Sequence, residues 1–287
     1  MSHKFEQGRL LKEFSTFGIG GPARFLFEAT SIEEMRSALQ WAASENVPYL
    51  VVGKGSNTLF DDRGFDGLVI INRINFSTFD ENIVDVGAGY SFALLGVQTA
   101  RRGFEGLEFA SGIPGSVGGA VYMNAGASGA QTADCLTSVT YLLPSGEKRV
   151  FPRSELTFAY RKSPFQGQDG AIVAARFTLN PAKGAREKQL GIVAYRTRTQ
   201  PYGDKSCGCV FRNPDGSSAG ALIQECGLKG VQVGGAAVSP LHANFIVNSA
   251  SATAGDVLSL AALVKKTVHE KKGIDLEMEL CVIPFSR

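Results

Sequence analysis

Between Ser111 and Ala127 the chain runs Ser-Gly-Ile-Pro-Gly-Ser-Val-Gly-Gly-Ala-Val-Tyr-Met-Asn-Ala-Gly-Ala. No packed helix or central strand would choose such a segment, because glycine loses more backbone freedom on ordering than any other residue. A loop with bare backbone suits it. Successive amides in such a loop can form a nest for phosphate oxygens, and missing Cβ atoms let a flat ring or a pyrophosphate come close. A tight crossing of loops with no ligand would use the same residues.

The glycine excess is local. Eight of the 34 glycines lie between Gly103 and Gly129, and eight more between Gly203 and Gly235; the rest of the chain is close to the roughly 7% of average composition. Familiar nucleotide loops do not account for them. Gly53-Lys54 is followed by Gly55 where a Walker loop needs Ser or Thr, and Pro48 stands at its earlier glycine position. Thr16 to Pro22 and Gly87-Ala-Gly89 match the dinucleotide fingerprint only in part, which disfavours a Rossmann domain.

With 287 residues and 44% hydrophobic content the chain can bury two or three packed units. Its first half alternates helices and strands, an α/β start. Ser31-x-x-Glu34 opens a helix carrying Met35, Leu39, Ala42 and Ala43, and Pro48 follows it. Strands are expected at Tyr49–Val52, Gly67–Asn72, Ile83–Val86, on both sides of a Pro-Ser-Gly turn between Val139 and Phe151, and at Ala171–Leu179. A helix is expected at Phe92–Arg101. Pro181–Gly184 is the best linker, placing the main boundary near residue 182, with a basic helix from about Ala185 to Arg198. Beyond it come a helix near Ser218–Glu225, strands at Val231–Val233 and Phe245–Val247, and a long helix opened by Thr253-x-x-Asp256 and stopped by Gly273. Leu258, Ala261, Ala262, Leu263, Val264 and Val268 are expected to form that helix's core face, and a last strand to span Asp275–Ile283.

No run of 18 apolar residues is present and the start lacks a signal-peptide core, so a cytoplasmic chain without membrane association is expected. Five scattered cysteines fit reduced thiols. The Cys207-x-Cys209 spacing and the dispersed His3, His242 and His269 argue against zinc, and no metal site is expected. A net charge of +2 gives no footprint for nucleic acid. Between Lys183 and Arg212, however, seven basic residues face only Glu187 and Asp204. That imbalance suits either a solvated helix face or a site for a small polyanion.

Six segments, Thr16–Arg24, Val51–Asp61, Gly112–Ser128, Ala159–Phe165, Ser206–Asp215 and Leu276–Leu280, together resemble the UDP-N-acetylenolpyruvoylglucosamine reductase (MurB) family in order and spacing. The shorter class, without an extra insertion in the C-terminal domain, fits best. The resemblance covers nearly the whole chain and implies an α+β fold. Residues 1–182 would be a two-part FAD-binding domain of the vanillyl-alcohol-oxidase-like (PCMH) type, in lobes of about 1–72 and 73–182. Residues 183–287 would be an α+β substrate-binding domain.

On this resemblance FAD is held non-covalently and NADPH is the hydride donor. Gly53, Lys54, Gly55, Ser56 and Asn57, with Ser111, Gly112, Ile113, Pro114, Gly115, Ser116, Gly118, Gly119 and Ala120, would cradle the FAD pyrophosphate, and Asn124 and Gly126 would lie near the flavin. The family reaction sends a hydride to the enolpyruvyl CH₂ of a UDP-sugar and needs cationic groups for the enolate and a proton for the α-carbon. Arg161 matches the family residue that grips the carboxylate, and Glu279 matches its acidic catalytic residue. Where the family has the second serine of Ser-Cys-Gly-Ser, this chain has Cys209. A thiol, with a reference pKa near 8.5, can donate at neutral pH; Cys209 either does so or only fills the space.

Tyr160, Lys205, Arg212, Asn213 and Lys229 are candidate substrate contacts, and His242 is expected to be a structural hydrogen-bonder. Reduction of UDP-N-acetylglucosamine enolpyruvate to UDP-N-acetylmuramate, for peptidoglycan precursor synthesis, is the leading reading. A flavin-dependent sugar or alcohol oxidase of the same fold and a nucleotide-sugar-binding protein without catalysis are the alternatives. The oligomeric state stays open; a monomer is compatible with the sequence.

Overall fold

The computed structural model describes residues 5–286; the first four residues, His3 among them, and Arg287 lie outside the described residues. Two compact units divide the chain. The first takes Phe5 and Glu6, Leu26–Lys54 and Gly67–Arg196; the second takes Gln7–Phe25, Gly55–Asp66 and the chain from Thr197 onward. The division differs from a single cut near residue 182 because two early segments belong to the later unit: Phe17, Ile19 and Leu59 sit in one apolar cluster with Phe211, Leu260 and Val264.

In the first unit, helix α1 (Ile32–Ser44) begins where the Ser31 hydroxyl accepts from the Glu34 amide. The reciprocal half of a capping box is missing, since the Glu34 carboxylate takes the Thr30 amide and hydroxyl instead. Met35, Ala38, Leu39 and Ala42 form its buried stripe, and Ala43, expected there, faces solvent. Strand Tyr49–Val52 pairs in parallel with Phe65–Asn72. Five antiparallel strands follow in the order Lys148–Pro152, Leu136–Leu142, Ala171–Thr178, Ile83–Gly87, Ser77–Asp80. Helix α2 (Phe92–Arg101), capped by Ser91, packs its Phe92 and Leu95 on the core of that sheet. Asn180–Pro181, expected to be linker, pairs with Phe104–Glu105.

The glycine run is not all loop. It contains a short helical turn, Glu108–Gly112, that enters it, and helix α3 (Val117–Tyr122), capped by the Ser116 hydroxyl. The helix forms despite its glycines because its backbone lies close against a neighbour: a Cβ on Gly118 would stand 2.9 Å from the Ala88 Cβ. Helix α4 (Ala185–Thr199) buries only Ala185 and Gln189, and its basic face is mostly solvated. Lys188 Nζ stands 3.0 Å from the buried Glu108 carboxylate.

The second unit holds a sheet ordered Ser206–Cys209, Phe245–Asn248, Ala236–Val238, Gln232–Val233, backed by α5 (Ala219–Glu225) and α6 (Ala254–Lys272). Val257, Leu260, Ala261, Val264 and Val268 form the inward face of α6. Of the six residues expected there Ala261, Val264 and Val268 face inward, while Leu258, Ala262 and Leu263 point outward and Val257 and Leu260 complete the stripe. The last strand is only Cys281–Ile283, parallel to Thr58–Phe60; residues 277–279 instead bond to the segment after Cys209. Among the described residues no helix is long and apolar enough to cross a membrane.

The start of α6 is capped twice. Thr253 and Asp256 form the reciprocal box, and the Asp62 carboxylate accepts from the Ala254 amide at 2.9 Å. Asp62→Ala should therefore cost about 0.5–2 kcal/mol of stability in denaturant unfolding; an unchanged midpoint would count against this cap.

Candidate active site

The glycines of the run share one property: Gly112, Gly118, Gly119 and Gly126 all have ordinary negative φ, unlike the 17 left-handed glycines elsewhere among the described residues. Close approach, not unusual backbone, is why Gly118 and Gly126 are glycine. Gly53 belongs with them, since a Cβ there would stand 2.1 Å from Ser116 Oγ. The turn after Val52 therefore lies directly on the N-cap of α3. Phe92 N donates to Gly115 O and Val117 N to Tyr90 O, so Ser91 and Ser116, the caps of α2 and α3, form an antiparallel bridge. Among the described residues no acceptor meets the amides of Gly115 and Ser116.

Lys54 Nζ donates to the Ser91 hydroxyl at 2.9 Å, beside these two helix starts. Burial, and then the charge of Arg73, hold its ammonium below the usual lysine value. An anion placed between this ammonium and the helix N-termini would gain from both. Unengaged amides, a cradle that a Cβ would fill and this lysine fit the pyrophosphate of a dinucleotide such as FAD. Of the other proposed cradle residues, Ser111 donates its hydroxyl to Glu108 O, Ile113 N donates to Ala110 O, and Pro114 and Gly119 are exposed. Gly112 lies under the Arg196 side chain, and Ala120 faces the core.

Asn124 is held by the chain itself. It is fully buried, donates to Gln131 Oε1 and to Ala159 O, and accepts from the Ala133 amide. Its side chain is committed to the loop that carries Arg161. Arg161 stands at φ +56 with its guanidinium 2.9 Å from Gly126 O and stacked over Tyr160, which is exposed.

In the second unit the structure brings Cys209 and Glu279 onto adjacent backbone: Glu279 N donates to Val210 O at 2.8 Å, and Arg212 N to Glu277 O. Gly208, at φ +74, sits in a register break between Ser206 and Cys209. Such a bulge re-aims the residue that follows it. Asn244 fixes the next residue, accepting from Phe211 N and donating to Phe211 O. His242 supports it, taking the Asn244 amide on Nδ1 at 3.3 Å, as expected of a structural hydrogen-bonder. Asn57 reaches the same strand from the other side, donating to Glu279 O. Gly55, at φ +61, packs on Phe14 O, and Ser56 is half-buried.

Arg212 is half-buried, stands 3.5 Å from Glu277, and has a buried Nε without a hydrogen-bond partner among the described residues, an opening for an acceptor. Asn213 is used otherwise, accepting from Ala219 N at the start of α5. Lys205 is exposed beside Gly18. Lys229 is exposed before the Gln232–Val233 strand, at the opposite sheet edge from Cys209, so those two are not brought together. Cys207 is inert by comparison: buried, donating to Thr58 O, its thiol pushed up to about 11 by burial. Sequence reasoning missed Asn244 and Gln166, which bond backbone distant along the chain, and Gly208, whose positive φ no motif marks.

Residues 23–151 match the FAD binding domain family, and residues 200–283 match the C-terminal domain of UDP-N-acetylenolpyruvoylglucosamine reductase. An FAD-binding domain followed by a reductase C-terminal domain marks a flavin-dependent oxidoreductase. The reductase of Protochlamydia amoebophila (strain UWE25) is 55% identical over 284 residues, covering 99% of this chain and 95% of that one. That of Chlamydia trachomatis serovar A is 47% identical, covering 96% and 94%. The crystal structure of the enzyme (MurB) from Thermus caldophilus matches with a TM-score of 0.83 at 40% identity, over 98% of this chain and 99% of that one. The chain belongs to the UDP-N-acetylenolpyruvoylglucosamine reductase family.

Two measurements test this geometry. Gly53→Ala should lower bound FAD per chain at least tenfold, read by absorbance, because its Cβ collides with Ser116; normal flavin content would contradict the close approach. A thiol reagent at pH 8 should modify Cys209 ahead of Cys207, Cys135 and Cys281, whose thiols burial pushes up. Equal labelling, read by mass spectrometry, would contradict the contrast.

Proposed function

We infer that the chain reduces UDP-N-acetylglucosamine enolpyruvate to UDP-N-acetylmuramate, with FAD as bound cofactor and NADPH as reductant, in peptidoglycan precursor synthesis. The observation that supports this best is the family membership over 99% of the chain together with the Gly53–Ser116 cradle. Bound FAD would supply the hydride relay between NADPH and the enolpyruvyl CH₂ carbon. The tasks left to the protein are to hold the substrate's anions, to stabilise the charge that develops at the α-carbon and carboxylate, and to supply one proton.

Arg161 suits the carboxylate, because a planar guanidinium gives two parallel donors to the developing enolate. Tyr160, stacked on it, restricts its swing. Cys209 suits the proton: its Sγ–H gives the proton to the α-carbon as the hydride adds to the β-carbon, and the thiolate left behind recovers a proton from solvent. Glu279, on the backbone that Val210 and Asn57 hold, is the acidic partner in that step. Arg212, with its open Nε, is the best placed of the basic candidates for the diphosphate; Lys205 and Lys229 are exposed, and Asn213 serves α5. The residues assigned to FAD are Gly53–Asn57 and Ser111–Ala120, with Asn124 and Gly126 supporting the loop beside it. The two family matches favour a functional division near residue 182, with FAD on residues 1–182 and substrate on 183–287. A cytoplasmic location fits a reaction fed by NADPH and a nucleotide sugar.

The test is anaerobic. NADPH should bleach the flavin and the enolpyruvyl UDP-sugar should restore its colour; air-driven recovery with no need for that substrate would favour an oxidase instead. Cys209→Ser should keep both half-reactions. Cys209→Ala should keep bleaching and lose at least 100-fold in recovery; full recovery would remove Cys209 from the proton step.

A further inference from the structure

Arg161 occupies the third position of the turn Ala159–Lys162, which is closed in both directions, Lys162 N to Ala159 O at 3.0 Å and Ala159 N to Lys162 O at 3.1 Å. Its φ of +56 lies where glycine or asparagine is usual at this position. An L side chain persists there only when its surroundings over-determine it. One determinant is Asn124, which donates to Ala159 O. A second is Gly126 O, which accepts from the guanidinium itself.

The third is Gln166, a residue outside the catalytic and cofactor sets assigned above. Its Nε2 carries two hydrogens and has two carbonyls in reach, Tyr122 O at 3.0 Å and Arg161 O at 3.1 Å, with Met123 Sδ at 3.6 Å. Tyr122 is the last residue of α3, the helix that the glycine run builds. Ser163 secures the same carbonyl, donating from Oγ at 2.7 Å, and Gln166 N donates to Ser163 O. One side-chain amide thus ties the peptide of Arg161 to the end of the helix whose start forms the cradle. We propose that Gln166 is a positioning residue of the reductase, holding Arg161 in its left-handed conformation and in register with α3, so that the guanidinium meets the substrate carboxylate. The proposal rests on the assignment of Arg161 given above.

Position here matters more than binding strength, because a misplacement of about 1 Å at a reacting group can cost on the order of 100-fold in rate. NADPH oxidation does not involve the substrate carboxylate, so the two half-reactions separate the effect. With the full chain carrying FAD, in anaerobic stopped flow, Gln166→Ala should leave bleaching by NADPH within about twofold. Recovery of the flavin by the enolpyruvyl UDP-sugar should slow about 10- to 100-fold at saturating substrate. Gln166→Glu, which keeps the shape and loses both donors, should fail in the same way, and Gln166→Lys, which restores a donor, should recover part of the rate. In an Arg161→Ala background, Gln166→Ala should add no further loss, because both act through one group.

Wild-type recovery rates in Gln166→Ala, full activity in Gln166→Glu, or multiplicative losses in the double variant would each overturn the role. Should Gln166→Ala prove unstable, the Glu and Lys variants carry the same comparison. A wild-type protein that bleaches with NADPH and never recovers with this substrate would instead refute the functional reading, and the role of Gln166 with it.

Discussion

A side-chain amide sealed inside a protein must find its partners there, because each one missing costs about 1–3 kcal/mol. Asn124, with no exposed surface, meets that demand by bonding the Gln131 side chain, the Ala133 amide and the Ala159 carbonyl. Asn244 does the same in the other unit, gripping Phe211 by both amide and carbonyl while Val210 N reaches Asn244 O. Neither residue needs to touch a ligand. Each fixes the irregular backbone on which a proposed catalytic side chain stands, Arg161 in one case and Cys209 in the other. Loops of this kind have no ladder of their own, so the buried amide takes the place of a neighbouring strand.

The two glycine clusters answer to different physics. In the second, Gly208, Gly216, Gly227, Gly230 and Gly234 all have positive φ, and they are glycine because the chain turns there. Within the Ser111–Ala127 run no glycine does, and the constraint is space: Ala88 beneath Gly118, Ala130 O beside Gly126. Substitutions at Gly208 or Gly227 should fail by strain, and those at Gly118 or Gly126 by collision. A composition count merges the two, and only the dihedrals part them.

Helices with strong end signals were legible from sequence alone. Phe92–Arg101 matches its expected limits, and Thr253, Asp256 and Gly273 bound α6 as their chemistry requires. Strand Tyr49–Val52, an apolar run between Pro48 and Gly53, was legible for the same reason. The inward face of α6 was legible only in part: Ala261, Val264 and Val268 were expected on it, but apolar residues occur on both sides and periodicity could not choose between Val257 and Leu258. Helix α3 was hidden by its own glycines, whose propensity argues against a helix that tertiary contact then imposes. Membership of the early segments 7–25 and 55–66 in the second unit depends on Phe17, Ile19 and Leu59 meeting residues some 200 positions away, which no local pattern encodes. The catalytic candidates came from motif resemblance; the residues that hold them in place, Asn244 and Gln166, have no motif.

Cysteine in place of serine at position 209 is easier to understand once the backbone is in view. Residues two apart in a regular strand share a face, so it is the break in register at Gly208 that sends the two thiols of Ser206–Cys209 different ways. Cys207 turns into the core, where Thr58 O and Gly55 O accept its proton and burial keeps it a thiol. Cys209 stays half-buried on backbone fixed by Gly208, Asn244 and the Glu279 amide. None of these anchors involves the atom at the end of the side chain. Exchange of oxygen for sulfur therefore leaves these backbone anchors in place and, on the proposed role, alters the acidity of the group that donates the proton.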